Sequence, residues 1–376
     1  MYIALYFLIF LLYFTLRGKG DQEQAKRIFI YIITLALCLG SALRHMGVGN
    51  DTYAYFLDYE EVATISWEQI LQSVKDYYSD SHLNPIEKDP GYVIFSKLFS
   101  SISHKFGVYQ FSVALLFLSA VGRMIYKGVK PFWGYLLSYT FFIFVFYHYL
   151  PNSATRQTIA MGIMLWGIIL WMEEQSRKRL LLATLMILAA STIHKSSLVG
   201  FLPLIAAWIN RPKLIFLSAI IGCPLLFLFG QSAAQFLGEL SQVEDYMAYG
   251  ISSFYNTAEK PTSFIYLMIL FYGIGLIRIK GIERESDFIR LSYALFSIAI
   301  SIISFVQVDP SLQRLIAYFS LWGVIYLPNA IDRLGERNIK AVLCAMILIV
   351  IVGRSVLSPP VYKFYWEQMQ LHERYG

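Results

Sequence analysis

Charge is the first thing this chain lacks. Only 15% of its 376 residues are Asp, Glu, Lys or Arg, while 57% are hydrophobic; soluble globular domains carry roughly 25% charged residues. Mean hydropathy is +0.54, and apolar runs of about 15 to 20 residues, the length that crosses a bilayer, recur from end to end. That composition excludes a soluble globular domain. Cysteine is nearly as scarce. Cys38, Cys223 and Cys344 each fall inside an apolar run without a C-x-x-C partner, so neither a disulfide framework nor a structural zinc site is expected. Small buried hydrophobes are the ordinary reading for all three. Also missing are GxSxG, HExxH, a P-loop and a GxGxxG in strand–helix context, which removes the common hydrolase, zincin and nucleotide-binding designs. "DYEE" at 58–61 is too compact and isolated to argue for a metal, and none is expected. No internal repeat, low-complexity linker or soluble domain interrupts the pattern. No positive charge precedes the first apolar run, and Arg17 and Lys19 follow it; residues 1–16 therefore read as a retained span, not a signal peptide.

What is present predicts an all-α integral membrane protein, a polytopic bundle of about twelve transmembrane helices forming a single transmembrane domain over 1–376. The expected spans are 1–16, 28–45, 108–126, 132–150, 157–172, 180–194, 196–209, 214–230, 263–279, 289–307, 312–328 and 341–357. Six short connections, "RGKGDQEQAKR", "KGVKP", "EEQSRKR", "NRPK", "KGIERESDFIR" and "DRLGERNIK", hold with their flanks 19 of the 31 Lys and Arg but only 9 of the 25 acids. They alternate strictly with the remaining connections, so the positive-inside rule puts them in the cytoplasm and both termini outside. The net charge of +6 thus reports sidedness, and no nucleic-acid partner is expected. The pair 180–194 and 196–209 is the place where parity could fail. Arg179 and Arg211 enclose 31 residues, about 46 Å as one helix, against a hydrocarbon core of about 30 Å. Two short helices with a sunken apex, "STIHKSS", fit better.

Outer loops are expected at about 47–107 and 231–262. In the first, "SWEQILQSVKDYY" has Ser66 and Gln69 at capping-box spacing, with Trp67, Ile70, Leu71, Val74 and Tyr78 on one face. "GYVIFSKLFSSIS" lines up Tyr92, Phe95, Phe99 and Ile102. Both predict interfacial helices on the outer face.

Four outward helix ends are polar: "LRHMGVGND", "PNSATRQ", "STIHKSS" and "QVDPSLQR". Together they offer Arg44, His45, Asp51, Asn152, Arg156, Gln157, His194, Lys195, Asp309, Gln313 and Arg314. An arginine at a span end ordinarily snorkels as an anchor, a histidine at a helix end is ordinarily hydrogen-bonded in place, and Asp51 suits a turn in "GVGND". His45 and Lys195 stay nearest those readings. Yet outward arginines run against the positive-inside rule, and Arg44, Arg156 and Arg314 all lie beside Pro, Gly, Asn or Gln. Arginine recognises phosphate or carboxylate bidentately. Several around a low-dielectric recess could hold a pyrophosphate as it becomes a leaving group, with a carboxylate or imidazole taking the proton of an attacking hydroxyl. That chemistry is glycosyl transfer from a lipid-linked donor. Tyr53 and Tyr55 could stack on a sugar, with Arg44 toward the pyrophosphate and Asp51 toward the acceptor. His194 is favoured over Asp51 as base because imidazole ordinarily titrates near neutrality. Lipid-linked oligosaccharide flippases also have about twelve spans, but proton- or ion-coupled carriers usually keep charge near mid-membrane, and no span here has a central acid. An O-antigen ligase-like transferase or an acyltransferase is the remaining alternative.

These motifs resemble those of the EpsG-like family, the Wzy-type polysaccharide polymerases. "RHMGVGNDTYAYF" is similar to its R-x-x-x-V-G-x-D-x-x-x-Y pattern and "DPGYVIFSKL" to its acidic-x-Gly-aromatic segment. "ATRQTIAMGIMLWG" resembles its Arg-Gln helix start, and "STIHKSSLVGFLPL" its His-containing helix end. The resemblance implies a multi-pass enzyme of the bacterial inner (cytoplasmic) membrane with its active site facing the periplasm or exterior. It would transfer a chain held on undecaprenyl pyrophosphate to the next lipid-linked repeat unit, with no cofactor. A chain-length regulator and a flippase are the implied partners. Arg44, Asp51, Arg156 and His194 match motif positions; Gln157, Asn152, Tyr53, Gln313 and Arg314 are added as substrate-binding candidates from their place in the pattern.

Overall fold

The computed structural model describes residues 1–79, 89–241, 262–308 and 312–369. Among these, regular structure is helical apart from one isolated antiparallel bridge, Arg44 to Phe364. Asp309 and part of the expected second outer loop lie outside the described residues. Helix occupies all twelve apolar segments. Five of these helices are long and apolar enough to cross a membrane: Gln22–Ala42, Phe106–Gly128, Pro212–Gly230, Asp287–Gln307 and Arg337–Leu357. A sixth is made by Gln313–Ser320 and Gly323–Asp332 if that pair, bent by 48°, is one span. Tyr2–Leu16, Phe132–Tyr147, Lys195–Ile209 and Ser263–Ile277 are shorter apolar helices.

The chain divides into two compact units. The first comprises Met1–Lys127, Tyr139–Phe201 and Ile347–Gly376. Its helices are α1 (Tyr2–Leu16), α2 (Gln22–Ala42), α3 (Thr52–Thr64), α4 (Trp67–Tyr78), α5 (Pro90–Ile102), α6 (Phe106–Gly128), α8 (Thr155–Glu173) and α9 (Arg177–Ser191); α7 (Phe132–Phe142) and its π-helical continuation Ile143–Tyr147 straddle the boundary. Ion pairs tie three basic connections together at one end of this unit. The Tyr126 hydroxyl donates to Glu23 at 2.9 Å, Arg123 meets Glu173 at 2.6 Å and Lys127 meets the same carboxylate at 3.6 Å. Since α2 starts and α6 and α8 end in that cluster, Arg44, Phe106 and Thr155 lie at the other end. The polar motifs and the basic connections are therefore separated along the helices.

The described residues of the expected first outer loop form three helices, one more than expected. α4 carries the expected box: Ser66 Oγ accepts from Gln69 N while Gln69 Oε1 accepts from Ser66 N. Ile70 seals it against Val62 and Val93, whereas Trp67, Leu71 and Tyr78 stay exposed, as a helix lying in an interface would leave them. α3 had no expected counterpart, because Asp58, Glu60 and Glu61 interrupt its apolar pattern. α5 buries Pro90, Tyr92, Val93, Ser96, Lys97 and Ser100; of the expected stripe Tyr92 is buried, Phe95 and Phe99 are half-buried and Ile102 is exposed. The buried face is set by Lys97, whose Nζ donates to the carbonyls of Val62 and Ala63, both at 3.2 Å. A cation there satisfies orphan acceptors at the negative end of α3.

The second unit comprises Gly128–Ser138 and Leu202–Met346. Pro212–Ser241 packs along Asp287–Ser301. Tyr326 stacks on Phe296 at 4.4 Å and donates its hydroxyl to Tyr272 O at 2.9 Å. Glu285 joins Lys130 to Arg333, and Arg333 also donates to Arg278 O and Lys280 O.

Candidate functional site

Two residues past α2, Arg44 turns back over the helix end. Its Nη1 donates to Ser41 O at 2.7 Å, and the Gln110 amide, once rotated by 180°, accepts from Nη2 at 3.2 Å. The bridge to Phe364 covers it from outside: His45 N donates to Lys363 O at 2.8 Å and Tyr365 N to Leu43 O at 2.9 Å. The Tyr362 hydroxyl reaches Gly40 O at 2.7 Å. Arg44 is consequently 3% exposed. Beside it, Ser41 Oγ donates to Asn152 Oδ1 at 3.0 Å. Arg44 Nε and Asn152 Nδ2 are both buried and unpartnered, which is uncommon for donors in a folded interior. His45 serves its own turn, with Nδ1 accepting from Gly47 N at 3.0 Å.

The chain leaves Arg44 through a turn that requires glycine. Gly49 has φ +89°, and a Cβ there would overlap Asn152 O. Asn50 N donates to Ser153 Oγ at 3.1 Å and Thr52 Oγ1 to Asn152 O at 3.0 Å, so Asp51 is pinned between two residues held on the 152–153 turn. Tyr53 stacks on Phe56 with ring centroids 6.2 Å apart, and Tyr55 meets Tyr92 edge-on at 5.8 Å. The π-helical Ile143–Tyr147 brings Tyr147 against α2, its hydroxyl donating to Leu37 O at 2.7 Å. Such segments concentrate at functional sites; nothing in the apolar run "FFIFVFY" announced this one.

The turn leads into α8, whose second residue is Arg156. Its Nη1 pairs with Asp89 Oδ2 at 3.2 Å, and its Nε is buried without a partner. Asp89 precedes Pro90 at the start of α5, and the next residue docks on the apex after α9. Gly91 N donates to Thr192 O at 2.9 Å, so closely that a Cβ on Gly91 would overlap Thr192 Oγ1 and lie 2.8 Å from its backbone carbon. The apex carries His194, half-buried in extended backbone, and Lys195, which opens the 3₁₀ turn Lys195–Gly200. Burial pushes the Asp89 carboxyl above the usual carboxylate range, with Arg156 and Lys195 pulling the other way.

Asn152, Asp51, Arg156 and the His194 apex therefore gather at one end of the first unit, as do Arg44, Tyr53 and Lys195. Asp89 is the residue that sequence reasoning passed over, although the acidic position of "DPGYVIFSKL" signalled it. Gln157 points elsewhere: its Oε1 accepts from Tyr149 OH at 3.0 Å and its Nε2 faces Met161 Sδ at 3.7 Å. Arg314 and Gln313 open a helix of the second unit, Arg314 exposed and Gln313 half-buried. Among the described residues no three His, Cys, Asp or Glu side chains gather around a metal position.

Two uncapped helix N-termini meet here, those of α3 and α8; the start of α5 offers no free N–H, since Pro90 has none and Gly91 N is taken by Thr192 O. Helix N-termini present free N–H groups and partial positive charge. With Arg156 and Lys195, they make a cationic wall suited to an anion with several oxygens.

The described residues define an all-helical, multi-pass membrane protein. The sequence profile of the EpsG family matches residues 27–365, and the chain belongs to that family of polysaccharide-polymerase-type membrane proteins. No curated protein and no solved structure matches it.

Proposed function

We propose that the protein polymerises undecaprenyl-pyrophosphate-linked oligosaccharide repeat units at the outer face of the bacterial inner membrane. The observation that carries this reading is the meeting of two uncapped helix N-termini, those of α3 and α8, with Arg156, whose Nε has no partner. A pyrophosphate leaving group gains charge as its bond to the anomeric carbon breaks, and fixed donors aimed at that charge lower the barrier. The acceptor hydroxyl forms the new bond to that carbon and gives its proton to His194 or Asp51. Undecaprenyl pyrophosphate leaves, and the chain now rests on the acceptor lipid. Arg156 and the helix N-termini stabilise the leaving group. Arg44, already buried, shapes the wall through Ser41 and the 152–153 turn, and its Nε and the Asn152 amide supply further donors once the covering 361–367 segment yields. The protein's cations do the neutralising, so the reaction proceeds without an added metal.

The test is whether purified protein elongates a lipid-linked repeat unit in detergent without added nucleotide or metal. A charge-assisted hydrogen bond contributes roughly 1.5–3 kcal/mol, and about 1.4 kcal/mol is tenfold in rate. Arg156→Lys, which keeps charge but loses the planar fork, is expected to lose about tenfold or more. His194→Ala is expected to slow turnover while donor binding survives. Full-length polymer from an Arg156→Ala protein at normal abundance would end the leaving-group assignment.

A further inference from the structure

A guanidinium has one end-on edge, Nη1 with Nη2, and one side-on edge, Nε with Nη2. Asp89 Oδ2 takes Nη1 of Arg156 at 3.2 Å, and Nε is buried and unpartnered. Nε is thus uncommitted, while Asp89 holds Nη1 and the Tyr55 hydroxyl also hydrogen-bonds the guanidinium. The holder is itself fixed from two directions. Pro90 locks the backbone after Asp89 at the helix start, and the Gly91 N–H is bonded to Thr192 O at 2.9 Å. Side-chain exposure is 15% for Asp89 and 29% for Arg156, low enough for the contact to restrain both groups. The Asp89 side chain does not cap its own helix, although a free Asp in that place ordinarily would.

We propose that Asp89 is a positioning residue: it grips Arg156 by Nη1 so that the unpartnered Nε stays turned toward the pyrophosphate leaving group. This rests on the polymerase reading and adds to it the residue that orients its principal cation. An oriented arginine matters most where charge develops, so removing the grip lowers kcat and leaves donor KM nearly unchanged.

The test is a double-mutant cycle on the full-length protein in detergent, with a synthetic lipid-linked repeat unit as donor and acceptor. Asp89→Asn keeps size and an acceptor oxygen but removes the charge. It is expected to lower kcat about tenfold, the value of one lost charge-assisted bond, with donor KM within about twofold. Combined with Arg156→Lys, it should cost nothing further, since two residues acting as one unit are non-additive. Losses that multiply in the double mutant overturn the proposal, because Asp89 would then act independently of Arg156. Asp89→Asn at the parental rate overturns it too. Should Asp89→Asn fail to reach parental abundance, Asp89→Glu runs the same cycle with a displaced carboxylate. Failure of the underlying reading looks different: there Arg156→Lys itself runs at the parental rate, and the positioning role falls with it.

Discussion

Asp89 is half of an ion pair and yet its carboxyl is held above the usual range, because burial outweighs the pull of Arg156 and Lys195. The charged groups around it are Arg156 from α8 and Lys195 from the apex after α9. A folded-state pKa raised above the unfolded value contributes stability only at low pH, and that contribution is lost as pH rises through the folded pKa. At neutral pH the ionised Asp89 therefore works against the fold, the pattern expected of a group kept for chemistry. Asp89→Asn should then unfold at or above the parental temperature at pH 7, with the difference closing near roughly pH 4, where carboxylates protonate. Thermal unfolding in detergent at the two pH values checks it. A clearly lower midpoint for Asp89→Asn at pH 7 would show the pair to be structural. The same scale explains why Gln157 and its neighbour Arg156 turn to different partners. Consecutive helical residues point about 100° apart, so one faces the site and the next faces Tyr149. A motif read as "ATRQ" cannot separate them without the helix's rotation.

At the scale of elements, the site is assembled by backbone contacts that leave no room for a side chain. Gly91 fixes the start of α5 against Thr192, and the near neighbour is backbone as well as hydroxyl. Gly91→Ala must displace the helix start, and Asp89 moves with it. A misplacement of about 1 Å can cost about a hundredfold in rate, so activity should fall by tenfold to a hundredfold while stability drops by only about 1–3 kcal/mol. Parallel turnover and unfolding measurements would separate the two; a loss of stability with unchanged turnover would refute the coupling. The capping box of α4 was legible in four letters because its chemistry is local. The buried face of α5 was not, because Lys97 reaches a carbonyl pair 34 and 35 residues away in sequence. α3 escaped for a related reason: three acids break its apolar period, and its stability comes from packing on α5 and from the lysine at its end. Local signals survive reading from sequence; faces decided by distant partners do not.

At the scale of the whole chain, the number of crossings between Lys130 and Glu285 decides every orientation after residue 180. Had 180–209 been one span, the connections "KGVKP" and "KGIERESDFIR" would lie on opposite sides of the bilayer. Within the second unit, Glu285 bonds both Lys130 and Arg333, so the second, fifth and sixth basic connections share a side. In the first unit, Glu23, Arg123, Lys127 and Glu173 tie the first, second and third together in the same way. Five of the six basic connections read from the sequence are thus drawn together by acids among them, in one cluster within each unit. By the positive-inside rule, a charge bias of that kind predicts that those clusters face the cytoplasm. Single cysteines placed in a background free of Cys38, Cys223 and Cys344 test this with an impermeant thiol reagent on intact cells. Positions Glu68 and Lys105, both exposed beside the site helices, should react. Positions Gln175 and Glu336, exposed in the third and sixth basic connections, should stay protected until the membrane is opened. Reaction at Gln175 and Glu336 with protection at Glu68 and Lys105 would reverse the orientation and put the pyrophosphate wall in the cytoplasm. Opposite behaviour of Gln175 and Glu336 would break the parity that Glu285 enforces.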